Sequence, residues 1–135
     1  MNVFFYGLFM DEALLARKGV APANASPGYV DGFAIRIGER ATLLKSAGAR
    51  SYGIMMSVSP DELKELYSDD GVVDYVPEPV TVILSDGSKA LAVCYNLPVD
   101  RVSGTNKDYA DSLLELACRL AFPESYLDQI RQAAD

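Results

Sequence analysis

The sequence predicts an α+β domain with a mixed, curled or partly closed, barrel-like β-sheet and flanking helices. Three observations predict it. Runs rich in β-branched and aromatic residues recur between residues 29 and 97, separated by clusters of Gly, Pro, Asn, Asp and Ser. One helix signature, at residues 59–71, is inserted among them. Two amphipathic helical patterns close the chain beyond residue 107. Strands gathered in a block, with helices set apart from them, pack as α+β rather than as alternating βαβ units. At 135 residues, half of them apolar, the chain is long enough for one real core, and a single domain over residues 1–135 is expected.

In chain order, residues 2–6 (Asn-Val-Phe-Phe-Tyr) form a strand broken by Gly7. Residues 11–18 form a short helix with acids in its first turn, bases in its last and Gly19 as the stop. The Ala-, Pro-, Asn- and Ser-rich residues 20–27 read as a loop. A strand over 29–37 carries an Asp31-Gly32 interruption that predicts a bulge. Residues 42–45 and 52–58 are two further strands joined across a turn. Ser59 caps the next helix, Pro60 suits its first position and Glu62 completes a capping box, while Leu63, Leu66 and Tyr67 form the inward stripe and Gly71 makes the exit. Residues 80–84 and 90–97 flank Ser85-Asp86-Gly87-Ser88, the clearest hairpin in the chain, and Pro77 and Pro79 put the lead-in on an edge. After a polar loop, Leu113, Leu116, Ala117 and Leu120 share one face of a helix over 108–121. Pro123 opens a last helix faced by Tyr126, Leu127 and Ile130.

Composition narrows the chemistry. A net charge of −7 argues against nucleic-acid binding, which needs a basic patch. No run approaches the length of a membrane span, and a cytoplasmic, membrane-free protein is expected. Cys94 and Cys118 lack any metal-ligand spacing and read as reduced core residues. There is no histidine, which removes the usual Ser-His and Cys-His nucleophile systems and most zinc sites. Acid–base work therefore falls to carboxylates, Lys, Tyr or Cys.

Two stretches could hold a site. In Tyr6-Gly7-Leu8-Phe9-Met10 a strand ends at Gly before a helix, so its N–H groups either cradle an anion or simply turn the chain. Asp69 and Asp70 stand at the negative end of a helix dipole, as a solvated Asp-Gly exit or as carboxylates raised towards general-base duty. Tyr75 and Tyr95, in strand-like settings, read either as core and rim residues or as ligand contacts.

Taken together, Phe5-Tyr6-Gly7-Leu8-Phe9-Met10, Tyr52-Gly53-Ile54, Leu66-Tyr67-Ser68-Asp69-Asp70-Gly71 with Tyr75, Cys94-Tyr95-Asn96 and the closing Tyr109 and Pro123-Glu124-Ser125-Tyr126-Leu127 resemble, in order, the gamma-glutamylcyclotransferase-like superfamily. The resemblance implies that the loop at Tyr6, Gly7, Leu8, Phe9 and Met10, with Tyr75 and Tyr95, binds a γ-glutamyl small molecule. It also implies that a carboxylate before Gly71 deprotonates the substrate's α-amine. That amine attacks its own γ-carbonyl and releases 5-oxoproline, with no cofactor and no metal. Orientation supplies much of the rate in such an intramolecular attack. Two departures stand out: Asp70 occupies the place of the family's Glu, roughly 1–1.5 Å shorter in reach, and Leu8 replaces a small polar residue. Asp69 is the alternative base, pointing about 100° away if the helix continues that far. The expected function is thus a cyclotransferase-like enzyme with Asp70 as base. A binding module that keeps the pocket without turnover is the alternative, and an interaction domain without a pocket is the third reading. Nothing in the sequence signals an oligomeric state.

Overall fold

The structure, a computed structural model, describes residues 1–134. Its elements are β1 (Asn2–Phe5), a 3-10 turn (Leu8–Met10), α1 (Glu12–Arg17), β2 (Ala23–Ile37), β3 (Ala41–Ser57), α2 (Pro60–Leu66), β4 (Val76–Leu84), β5 (Lys89–Asn96), a second 3-10 turn (Val99–Arg101), α3 (Lys107–Arg119) and α4 (Glu124–Ala133). The five strands close into a barrel in the order β1-β3-β2-β4-β5. Each pairing is antiparallel except the one that shuts the ring, where β1 and β5 run parallel at Val3 and Val93. The chain is thus the mixed, barrel-like α+β fold that its sequence predicts. None of its described helices is long and apolar enough to cross a membrane.

Val3, Phe4 and Phe5 are all buried, so β1 is covered on both faces and shows none of the alternation of a half-exposed strand. The terminal helices pack on the barrel, α4 against β2, and bury Ala110, Leu113, Leu116 and Ala117 from α3 and Tyr126, Leu127 and Ile130 from α4. Tyr126 and Phe122 pack with Tyr52 of β3, their ring centroids 5.3 and 5.8 Å from its own.

The sheet curls at a pair of glycines. Gly28 of β2 lies opposite Gly53 of β3. A Cβ on Gly53 would meet the Phe5 carbonyl oxygen and would lie 2.6 Å from the Phe4 ring. One on Gly28 would lie 2.8 Å from both the Ile83 carbonyl oxygen and Val82 Cγ1. Missing side chains on these two neighbours let β1 and β4 approach closely, which a barrel corner requires.

Five sequence expectations are corrected. Residues 23–27 are strand rather than loop: they face Ser57, Met55 and Ile54 of β3, and their exposed outer side leaves no alternation to read. Residues 42–45 and 52–58 do not form separate strands around a turn. Both halves pair with β2, and residues 46–49 bulge out between the Phe33–Lys45 and Asp31–Arg50 pairs, at the interruption expected near Asp31. β4 starts at Val76 and not at residue 80; Pro77 and Pro79 do lie on the expected edge, paired only to β5, because β2 reaches β4 only at Leu84 and Ile83. α2 stops at Leu66, and Gly71 has no left-handed backbone. Cys94 is buried as expected, but Cys118 is exposed on α3.

The capping box of α2 forms as expected. The Ser59 hydroxyl oxygen accepts from the Glu62 N–H at 3.2 Å, and Glu62 accepts from Ser59. Its second oxygen accepts from the Ala21 N–H at 2.8 Å, tying α2 to the segment after α1. That N–H, then the Ser59 hydroxyl, holds the Glu62 carboxyl below the usual carboxylate range. Because the native state binds this proton less readily than the unfolded chain, the contribution is present above the ordinary value of 4.5 and fades as the pH falls through the lower native value.

Two predictions follow from this frame. Gly53→Ala should cost about 1–3 kcal/mol of stability through overpacking against β1, seen as a lower urea midpoint; an unchanged midpoint rules out the close-approach account. Glu62→Gln should lower the melting temperature at pH 7, and the gap to wild type should narrow towards pH 3, as followed by circular dichroism.

Candidate functional site

At the ends of β1 and β5 the barrel opens into a cavity of about 360 Å³, of the size that holds small molecules. The ring closure builds it. Parallel pairing sets Tyr6, just past β1, beside Tyr95 near the end of β5, and the Tyr6 hydroxyl donates to the Tyr95 carbonyl oxygen at 2.7 Å. Tyr95 in turn stacks on Tyr67, with ring centroids 4.0 Å apart and planes 13° from parallel. Phe9 meets Tyr67 edge-on at 5.9 Å, and Tyr75 leans over it at 6.1 Å. Tyr75 is fixed by its own hydroxyl, which donates to the Ala41 carbonyl oxygen at the start of β3. The interior is therefore an aromatic box.

Its loop wall is residues 6–9. The Tyr109 hydroxyl oxygen, from the first turn of α3, accepts from the Leu8 N–H at 3.3 Å. Gly7 makes room for it, since a Cβ there would lie 2.5 Å from Tyr109 Oη. Asn106 caps α3, accepting from the Tyr109 N–H at 2.9 Å, and so aims Tyr109 at the loop. The N–H groups of Gly7 and Phe9 have no acceptor among the described residues and remain available as donors.

Charge is confined to the mouth, where Lys18, Arg40 and Asp69 are the charged lining residues. Lys18, at the end of α1, pairs with Asp69 at 3.5 Å, and the Asp69 side chain is 66% exposed. Arg40, in the β2–β3 turn, donates to the Gly71 carbonyl oxygen at 3.2 Å and to Asp74 at 3.4 Å, with its guanidinium 5.8 Å from the centre of the Tyr75 ring. Together they strap the 67–75 turn across the barrel end.

Burial pushes every phenol of the box above the ordinary tyrosine value. It does so strongly for Tyr6 and Tyr67, where Cys94 and Tyr75 add to the effect. Tyr75 and Tyr95 are raised by the same cause, and Tyr109 reaches about 12 even though the Leu8 N–H pulls it down. These groups stay protonated near neutrality and act as hydrogen-bonding groups, not bases. Burial likewise raises the Cys94 thiol, which sits behind the box. Among the described residues, no three His, Cys, Asp or Glu side chains gather as a metal site.

Of the residues expected from sequence, Tyr6, Gly7, Leu8, Phe9, Tyr75 and Tyr95 line this one cavity. Met10 packs into the core at 3% exposure and is not part of the wall. Asp70 is exposed and outside the lining, and the carboxylate that does line it is Asp69. The helix-based 100° relation between the two does not apply, because α2 has ended and the chain is turning, with the Val72 N–H on the Asp69 carbonyl oxygen at 3.0 Å. Sequence reasoning missed Lys18, Arg40, Tyr67 and Tyr109 as a set. Lys18 looked like a helix-end charge, Tyr67 like core stripe, and Arg40 lay in an unremarked polar turn.

No family model matches the chain, and no curated protein matches it by sequence. Solved structures do match. A gamma-glutamyl cyclotransferase superposes with a TM-score of 0.76 at 16% identity, over 96% of this chain and 85% of that one. An uncharacterized protein from Homo sapiens gives 0.78 at 18% identity, over 96% and 85%. YkqA from Bacillus subtilis gives 0.76 at 19% identity, over 98% of this chain and 53% of its own. The chain therefore has the gamma-glutamylcyclotransferase-like fold.

The Gly7–Tyr109 contact yields a prediction. Gly7→Ala should displace the Tyr109 hydroxyl, so its stability cost should be larger in wild type than in a Tyr109→Phe background. A double-mutant cycle by urea denaturation should show coupling of about 0.5–3 kcal/mol, and additivity would contradict the contact.

Proposed function

We propose that the cavity takes a γ-glutamyl compound and that the chain releases 5-oxoproline from it, with Asp69 as the base. One observation carries the reading: a single carboxylate and two cations line the mouth of a small aromatic cavity walled by the 6–9 loop. An α-amino acid head presents one ammonium and one carboxylate, so the mouth offers a partner for each. Lys18 or Arg40 takes the carboxylate, and Asp69 takes a proton from the α-ammonium. The freed amine forms a bond to the γ-carbon and gives up a second proton as the carbon–nitrogen bond to the leaving group breaks. That proton and the one held by Asp69 pass to the leaving nitrogen, which departs as an ammonium and returns Asp69 to its carboxylate form. The nucleophile belongs to the substrate, which suits a chain without histidine. Free N–H groups at Gly7 and Phe9 support the developing charge or the substrate's polar end. The fold shared with a gamma-glutamyl cyclotransferase supports the same reading.

A second reading, binding without turnover, is favoured by a specific observation. Asp70, at the place of the expected Glu, lies outside the cavity, and Asp69 is already engaged by Lys18.

Both readings face one experiment. Purified protein is incubated with a panel of γ-glutamyl amino acids and amines, with 5-oxoproline measured by chromatography and binding by thermal shift. The enzymatic reading expects product, and Asp69→Asn should lower kcat by about 10²-fold or more. A larger loss in Asp70→Asn moves the base to position 70. Stabilisation without product supports the binding reading, and neither response overturns both.

A further inference from the structure

The cavity holds five phenols, and three of their hydroxyls are committed to the protein's own backbone. Tyr6 donates to the Tyr95 carbonyl oxygen, Tyr75 to that of Ala41, and Tyr109 accepts from Leu8. Tyr67 and Tyr95 make no hydrogen bond through their hydroxyls among the described residues. Neither hydroxyl is sealed in, since Tyr126 Oη is the one fully enclosed unpaired side-chain polar atom found among those residues. The Tyr67 hydroxyl is therefore unpaired, not fully enclosed and carried by a residue that lines the cavity. It lies deeper than that of Tyr95, where a hydrogen bond is worth more and an unmet donor costs more. Its ring packs on Tyr95 at 4.0 Å and against Phe9 edge-on at 5.9 Å, so contacts of the protein's own position the donor.

Tyr109 occupies the Leu8 N–H, leaving the loop with fewer free donors than its backbone suggests. We propose that the Tyr67 hydroxyl donates to the γ-carbonyl oxygen of the bound γ-glutamyl compound and so selects ligands that carry an acceptor there. The proposal rests on the γ-glutamyl reading of the cavity. A site built around a buried donor rejects an analogue lacking the acceptor, because the donor is then left unpaired. Burial keeps this phenol protonated well above its ordinary range, so it donates throughout the physiological pH span.

The test uses γ-glutamyl-L-alanine, γ-glutamyl-L-phenylalanine and γ-glutamyl ethylamide, with affinities by calorimetry for wild type and Tyr67→Phe. The variant keeps the ring and its stacking, so the ligand-free melting temperature should hold within about 2 °C. The Kd should rise about tenfold, the effect of losing one hydrogen bond, by the same factor from pH 6 to pH 9. In wild type labelled with ¹³C at the tyrosine ζ carbon, the Tyr67 signal should move on ligand addition. Equal affinity in wild type and variant, or an unmoved Tyr67 signal with ligand bound, overturns the proposal while leaving the cavity reading intact. Failure of wild type to bind any of the three compounds overturns the γ-glutamyl reading and this proposal with it.

Discussion

Parallel pairing of β1 with β5 is the constraint from which the rest of this structure follows. It shuts the sheet at Val3 and Val93 and leaves the ends of both strands side by side. From that one adjacency come the Tyr6–Tyr95 hydrogen bond, the stack of Tyr95 on Tyr67 and the approach of the 6–9 loop to the barrel mouth. A parallel pair needs a long connection, and here the whole of β2, β3, α2 and β4 lies between the two strands. Closure depends on curvature, and curvature depends on the paired glycines at 28 and 53, where β4 and β1 press against backbone that carries no Cβ. The same closure leaves β1 buried on both faces, so its run is apolar without alternation.

Interactions that are local in sequence were legible in it, and those that are not were hidden. The α2 cap was readable because Ser59, Pro60 and Glu62 lie within four positions and each has one physical task. The β4–β5 hairpin and the faces of α3 and α4 were readable for the same reason. Residues 23–27 were not, since only a partner strand makes them extended. The early end of α2 was also hidden. Gly71 looked like the stop, but the chain leaves the helix at Tyr67, whose ring is drawn onto Tyr95 from 28 positions downstream. Tertiary stacking outweighed the local exit signal.

The candidate site divides along the same line. Tyr6, Gly7, Leu8 and Phe9 were legible as a strand-to-helix turn, and Tyr75 and Tyr95 through a family resemblance. Lys18 and Arg40 carried no local mark, because what makes them site residues is where two distant turns deliver them. Lys18 ends α1 and Arg40 sits in the β2–β3 turn, yet both brace residues 67–75, through Asp69 and through Gly71 and Asp74. Reading the site from sequence would have required knowing that the barrel closes.

The shift of the lining carboxylate from position 70 to 69 shows how one helix boundary moves chemistry. Had α2 run to Gly71, its last residues would have advanced about 100° each around one axis. It ends at Leu66, with the Ser68 hydroxyl donating to the Glu65 carbonyl oxygen at 2.6 Å, and residues 69–75 proceed through two successive turns. Those turns are held from outside by Arg40 and Lys18, so the direction of each carboxylate is set by the strap and not by helical phase. Asp69 faces Lys18 and the mouth, while Asp70 faces water. In the proposed reaction, proton transfer would therefore fall to an exposed carboxylate that shares Lys18 with the ligand's own carboxylate. On the proposed reading, a ligand whose carboxylate takes Lys18 would release Asp69 in the same step, coupling binding to activation of the proposed base through one ammonium group.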